Sequence, residues 1–255
     1  MTGDRERTLT EAFVFVANSL VDGLDPVDLL SGLTADCARL LDIESAGLLL
    51  ADPQGRLHVV AASSERTRTL ELFQLQRDQG PCLDCFHSGA PVAVADLQAE
   101  AARWPEFVAA ATAAGFASVH ALPMRLRDTV LGTLGLFGAS VGALAEEDLN
   151  LGQALAYVAS VALVVDKATT DKESINQQLQ VALQSRIVLE QAKGLLAQLG
   201  DLDMDQAFAV LRRYARDHNE RLSEVAQAVV ARAMPAQQLL DHGLAAILLP
   251  QTPRS

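Results

Sequence analysis

Between Gly152 and Gly194 the chain contains neither glycine nor proline. Nothing in that span breaks a helix or disfavours one strongly. Leu151, Leu155, Val158, Ala162 and Val165 recur in alternating steps of four and three, the spacing of a coiled-coil seam. Residues 167–174 are polar, and Ile175, Leu179 and Leu183 then resume in steps of four. The expectation is a nearly continuous long helix paired with its copy in a homodimer, because an unpaired stripe of this length would expose apolar surface. The competing reading is one helix packed only on its own domain.

Residues 180–199 are rich in strong helix formers, with no proline and a single glycine. Val181, Leu183, Val188, Ala192, Leu195, Leu196 and Leu199 recur at helical spacing. Arg186 and Lys193 are seven apart, which brings both to nearly the same side. Gly194 costs about 1 kcal/mol relative to alanine inside a helix. Close approach of another backbone or of a ligand is the usual reason for such a cost. Asp203 or Asp205 can cap a helix over 204–217, with Ala207, Phe208, Leu211 and Tyr214 inward. A third helix over 221–233 turns Leu222, Val225, Ala226, Val229 and Val230 inward. The three form a small helical bundle.

Ser185-Arg186, the run from Glu190 through Gln191-Ala192-Lys193-Gly194 to Leu196, Ala207-Phe208, Leu211-Arg212, Asn219, Arg221-Leu222 and Val225-Ala226 together resemble an ANTAR domain. The match covers residues 172–233. The resemblance implies RNA binding in transcription antitermination, with stem-loops as partners. It makes Arg186, Lys193, Arg212, Arg213 and Arg216 candidates for phosphates or base stacking. Gln191, Asn219 and Ser223 become candidates for base edges, and Ala192 and Gly194 for close approach of the RNA. The competing reading pairs Arg212, Arg213 and Arg216 with Asp217, Glu220 and Glu224 as a solvated face.

The net charge of −12 at first opposes nucleic-acid binding. Residues 172–233, however, hold eight Lys or Arg against eight Asp or Glu, while residues 1–171 hold eleven against twenty-three. A neutral bundle beside an acidic module can bind RNA through loop shape and base contacts more than through bulk charge. No apolar run approaches the length a membrane span needs, and the charged first residues do not resemble a signal-peptide core. The expected location is the cytoplasm. Three cysteines, an odd number at this length, argue against a secreted disulfide framework.

The first part of the chain reads as helices, strand pair, crossing elements, hairpin and helix, an α+β sheet domain. Residues 8–20 have helical apolar spacing. Asp25-Pro26 caps and opens a helix through Leu41. Strands are expected over 46–51 and Leu57–Ala62 around a turn at 52–55. Residues 65–79 are polar and helical, broken by Gly80-Pro81-Cys82. A short strand over 91–95 and a helix over 104–114, stopped by Gly115, follow. Strands over 119–126 and 129–137 form a hairpin around Arg127-Asp128. Glu146-Glu147-Asp148 starts a helix running to Val165. Ala121-Leu122-Pro123-Met124 and Leu131-Gly132-Thr133-Leu134-Gly135-Leu136, in this order of elements, resemble a GAF domain over residues 10–166. That resemblance implies a small-molecule pocket between the sheet and the crossing loops.

Cys82 and Cys85 have the spacing of a reversible disulfide pair, and the competing reading has them lining the pocket or packed beside it. A zinc site would need a second ligand pair, and only His87 is close. The five histidines show no metal-binding spacing, so neither metal nor cofactor is expected. A GAF-fold, thiol-dependent reductase is the enzymatic alternative, and a DNA-binding regulator using the last bundle helix is the other. The expected whole is a ligand-responsive antitermination regulator and not an enzyme. It comprises a sensor at 10–166, a helical coiled-coil linker at 167–185 running into the bundle, and a tail at 234–255.

Overall fold

A computed structural model of the chain describes residues 25–164 and 172–247. It divides into two compact units between Leu183 and Gln184. The expected helix over residues 8–20, the polar link at 165–171 with Val165, and the side chain of Ile175 lie outside the described residues.

In the first unit α1 (Pro26–Leu40) opens where sequence chemistry requires it. The Asp25 carboxylate accepts from the Val27 N–H at 3.0 Å, and Pro26 supplies a φ already suited to a first turn. Strands β1 (Ser45–Ala51) and β2 (Leu57–Ala62) flank a turn held by Asp52, whose Oδ1 accepts from the N–H groups of Gln54 and Arg56 at 2.9 Å each. Then come α2 (Glu65–Arg77), α3 (Pro81–Ser88), β3 (Val92–Val94), a single 3-10 turn (Leu97–Glu100) and α4 (Pro105–Ala113). The hairpin β4 (Ser118–Leu126) and β5 (Thr129–Gly138) and the helix α5 (Glu146–Val164) complete the sequence-expected order. The sheet is antiparallel throughout, in the order β2-β1-β5-β4-β3.

Both faces of this sheet are covered. Leu48, Leu50, Leu122, Met124, Leu134 and Leu136 share one core with residues of α1 and α5. Leu49 and Ala121 pack with Cys82 and Cys85 of α3, while Val119 and Phe137 pack with Leu70 of α2 and Phe107 of α4. A strand buried on both sides has no polar face, so β1 and β5 read as nearly continuous apolar runs, interrupted inside β5 by the buried Thr133.

Two expectations change here. Gly80-Pro81-Cys82 does not only end a helix; it starts the next. Gly80 takes φ +146°, the Gln74 side chain fills the place where its Cβ would be, and Pro81 becomes the first residue of α3. The coiled-coil seam is also differently used. Leu155 is 1% exposed within the unit's own core, and Leu151 packs against it. The helix α6 (Lys172–Gly200) contributes Leu179 to the same core, with Leu183 packed beside it. Leu155 and Leu179 are thus buried inside their own unit, while Val158 and Ala162 of the same spacing are half-buried.

The second unit holds α6 from Gln184 onward, α7 (Met204–His218), α8 (Leu222–Val230) and α9 (Ala236–Ile247). Asp203 is the cap of α7. Its Oδ1 accepts from the Gln206 N–H at 2.7 Å, and the Gln206 Oε1 accepts from the Asp203 N–H at 3.0 Å, a reciprocal capping box. Ala207, Leu211 and Tyr214 are buried as expected, but Val210 is buried with them and Phe208 is only half-buried. The tail forms α9, which docks on α7. Gly243 allows this approach, since a Cβ there would lie 2.8 Å from Val210. Gln238 Nε2 donates to the Tyr214 hydroxyl at 2.7 Å. Among the described residues α9 thus adds a fourth helix to the expected three.

Candidate nucleic-acid interface

Arg212, Arg213 and Arg216 fall on one side of α7 by helical spacing. Arg213 and Arg216 are exposed, and Arg212 is half-buried. Arg213 Nε lies 3.4 Å from Asp217 Oδ2, an exposed pair that contributes about 1 kcal/mol at most and is open to competition. A hydrogen bond from His242 holds the Asp217 carboxyl below its ordinary value, with the Arg213 charge acting in the same direction. Asn219 ends α7 in the left-handed conformation, φ +55°, which asparagine tolerates better than most residues. Ser223 follows in the first turn of α8, half-buried. The structure thus strings Arg212, Arg213, Arg216, Asn219 and Ser223 along one helix–turn–helix path.

The α6 candidates divide. Gln191 and Gly194 are exposed. Arg186, Ala192 and Lys193 are buried, at 7%, 0% and 3% exposure. Sequence reasoning put both cations on one side of the helix, which is right, but that side faces inward. Glu190 Oε1 lies 2.6 Å from Arg186 Nη2 and 3.3 Å from Lys193 Nζ. The Lys193 ammonium also stands 5.9 Å from the Phe208 ring centroid. The signal was present in the sequence: Glu190 is four residues after Arg186 and three before Lys193, the spacings at which helix side chains meet. Gly194 is the reverse case. A Cβ there would meet nothing within 4 Å, so no packing contact of the described chain requires a glycine.

In the first unit Cys82 and Cys85 are wholly buried beside Glu71 and Gln74. Gly47 and Gly135 are cross-strand partners, and a Cβ on either would lie 2.7 or 2.8 Å from Glu71 Oε1. Their bare backbones leave the space that the carboxyl fills. Gln74 Nε2 donates to Glu71 Oε2, and Cys82 Sγ approaches Glu71 Oε1 at 3.6 Å. Burial pushes Glu71 up to about 8 and Cys85 up to about 12. Burial, and then the negative field of Glu71, push Cys82 well above its ordinary value. Thiols held this far from ionisation are poor nucleophiles, so the packed reading of this pair has the physical support. A separate open groove of about 440 Å³ is lined by Leu57, His58, Leu75, Leu83, Phe86 and His87. Sequence reasoning missed it because its walls come from β2, α2 and the unforeseen α3.

Fold and site together define a two-module chain, an α+β sheet domain followed by a helical bundle with an arginine-bearing face. A GAF domain family model matches residues 23–164, and an ANTAR domain family model matches residues 177–230. The first match spans more than half of the chain, which belongs to the GAF domain family and carries an ANTAR domain after it, the organisation of a GAF-ANTAR regulator. Among solved structures it is similar to the GAF domain from Acinetobacter phosphoenolpyruvate-protein phosphotransferase, at 12% identity over 64% of this chain and 93% of that one, TM-score 0.48. It is also similar to the GAF domain of a phosphoenolpyruvate-protein phosphotransferase from Coxiella burnetii, at 14% identity over 62% and 93%, TM-score 0.47. A type II free methionine-R-sulfoxide reductase from Thermoplasma acidophilum matches at 17% identity over 54% and 94%, TM-score 0.41. Comparison with curated proteins returns no match. No described helix is long and apolar enough to cross a membrane.

Proposed function

We propose that this protein is a ligand-responsive transcription antitermination regulator that binds RNA stem-loops through its ANTAR domain. The observation that carries the reading is the exposed arginine face of α7, running into Asn219 and Ser223 within the matched ANTAR residues. Arg213 and Arg216, with Arg212 beside them, meet phosphates, while Asn219, Ser223 and Gln191 reach base edges of an unpaired loop. Gly194 gives the RNA backbone room on α6. Arg186, Ala192 and Lys193 act from inside by fixing the position of that helix.

A homodimer presents two bundles, each gripping one stem-loop in nascent RNA, and the paired hold keeps a terminator from forming. The groove of about 440 Å³ on the GAF domain is the candidate ligand site, mixing apolar walls with two imidazoles. Ligand binding shifts dimerisation or the register of α6, which changes whether both bundles engage together. This work belongs in the cytoplasm, where nascent RNA is made.

A competition between hairpin RNA and duplex DNA for the full-length protein tests the reading. Displacement by hairpin RNA alone supports it. Preference for the duplex would replace it with the helix-turn-helix alternative, which the exposed Glu224 at the start of α8 already disfavours.

A further inference from the structure

Within the second unit, α6 and α8 line a groove of about 490 Å³ to which no residue of α7 contributes. One wall is Gln184, Ser185 and Val188, at i, i+1 and i+4 of α6. The other is Ser223 and Gln227, one helical turn apart on the face of α8 that turns away from Leu222, Val225, Ala226 and Val229. Ala228 and Ala231 are small and leave the space open. We propose that this groove is a base-reading subsite, which receives one unstacked base of the bound RNA loop.

The inference rests on the RNA reading above and names where that RNA is read. The chemistry of the walls selects the occupant. Gln184 and Gln227 are exposed amides with no hydrogen-bond partner among the described residues, and each offers two donors and an acceptor. Two hydroxyls stand beside them. A flat heterocycle with donors and acceptors on its edge satisfies such a set, and bases splayed from loops are read in this way. Glu224 on the rim repels a phosphate but accepts from an exocyclic amine. Two cations stand at the ends of α8, outside the lining of the groove, where they can meet the backbone of the same RNA. Arg221 precedes its first residue, and Arg232, at φ +59°, follows its last turn. Both are exposed, and neither takes a salt bridge among the described residues. The size agrees, since the groove falls within the roughly 300–1,000 Å³ of ordinary small-ligand sites.

The test presents the full-length protein with a hairpin library of fixed stem and fully randomised loop, followed by selection and sequencing. Wild type is expected to enrich one base at one loop position. Ala231→Leu fills the groove and Gln227→Ala strips its wall, and both positions are exposed, so the bundle should fold. Each variant is expected to lose the preference at that position and about tenfold in affinity for the selected hairpin, the scale of one good base contact. Its salt dependence and its affinity for the unselected pool are expected to stay as in wild type. Variants that keep the preference would overturn the subsite while leaving RNA binding intact. So would variants that change only the sedimentation of the protein, which would assign the groove to contact between copies. A wild-type protein that binds no hairpin in the pool would overturn the RNA reading together with the subsite.

Discussion

The guanidinium of Arg186 meets the carboxylate of Glu190 at 2.6 Å inside the helical unit, with both side chains largely withdrawn from solvent. Removing one partner of such a pair leaves a charge without its compensation, at a cost of about 3 kcal/mol. Glu190→Ala takes the same carboxylate away from Lys193 as well. Urea titration should show its midpoint well below that of wild type, with Lys193→Ala falling less far. Midpoints equal to wild type would show that the cluster does not hold the helix.

Gly194 separates stability from binding. With open space where its Cβ would lie, Gly194→Ala should raise stability by up to about 1 kcal/mol, because alanine is the better helix former. The same methyl should obstruct RNA that approaches the helix there. Thermal melts and hairpin titration of the one variant are expected to move in opposite senses. A stabilised variant with unchanged affinity would remove Gly194 from the interface.

The arginine face should announce itself through salt. Each phosphate deprived of its protein cation lowers the dependence of affinity on salt concentration by about one unit of slope. Replacing Arg213 and Arg216 by alanine together is therefore expected to flatten the plot and weaken binding to all hairpins alike. Stability should change by less than about 0.5 kcal/mol at these exposed positions.

Glu71 sets a pH dependence of opposite sign to that of most carboxylates. Its folded value, about 8, exceeds the ordinary 4.5, so the folded protein keeps a proton that the unfolded chain has lost. The stabilisation is complete below about 4.5 and is lost as pH rises toward about 8. The slope approaches ~1.4 kcal/mol per pH unit. Glu71→Gln keeps the shape and removes the titration. Its unfolding free energy should stay flatter over that window, and a parallel decline in wild type and variant would contradict the assignment.

Leu195 and Leu199 are 39% and 62% exposed on α6. Val181 and Ile187 are exposed on α6 too, and the proposed dimer would draw its contact from these exposed residues and not from the buried Leu155 and Leu179. Leu195→Glu with Leu199→Glu should halve the mass seen by sedimentation if wild type is the expected dimer. A dimer that survives both substitutions would place the interface elsewhere.

Much of this was legible in the residues. Asp25-Pro26, the cap of α7 at Asp203 or Asp205, and the hairpin around Arg127-Asp128 are local chemistry, and local chemistry can be read from sequence; the reciprocal bond of Gln206 decides for Asp203. The inward turn of Arg186 and Lys193 was not, because a period shows which residues share a face but not which face is buried. The same limit misplaced Leu155 and Leu179. Their spacing suits a partner chain and their own sheet equally well, and only packing decides. The α3 helix was missed because a Gly-Pro pair can end one element or begin another. The α6–α8 groove needs residues some forty positions apart, a distance over which periodicity is silent.

The claim on which the account depends is that the bundle holds hairpin RNA in the cell. Crosslinking the intact protein in its host, followed by sequencing of attached transcripts, tests it most directly. Reads concentrated on neighbouring hairpins that overlap terminators are the expected result. Reads spread evenly over all transcripts, or recovered only from DNA, would contradict it.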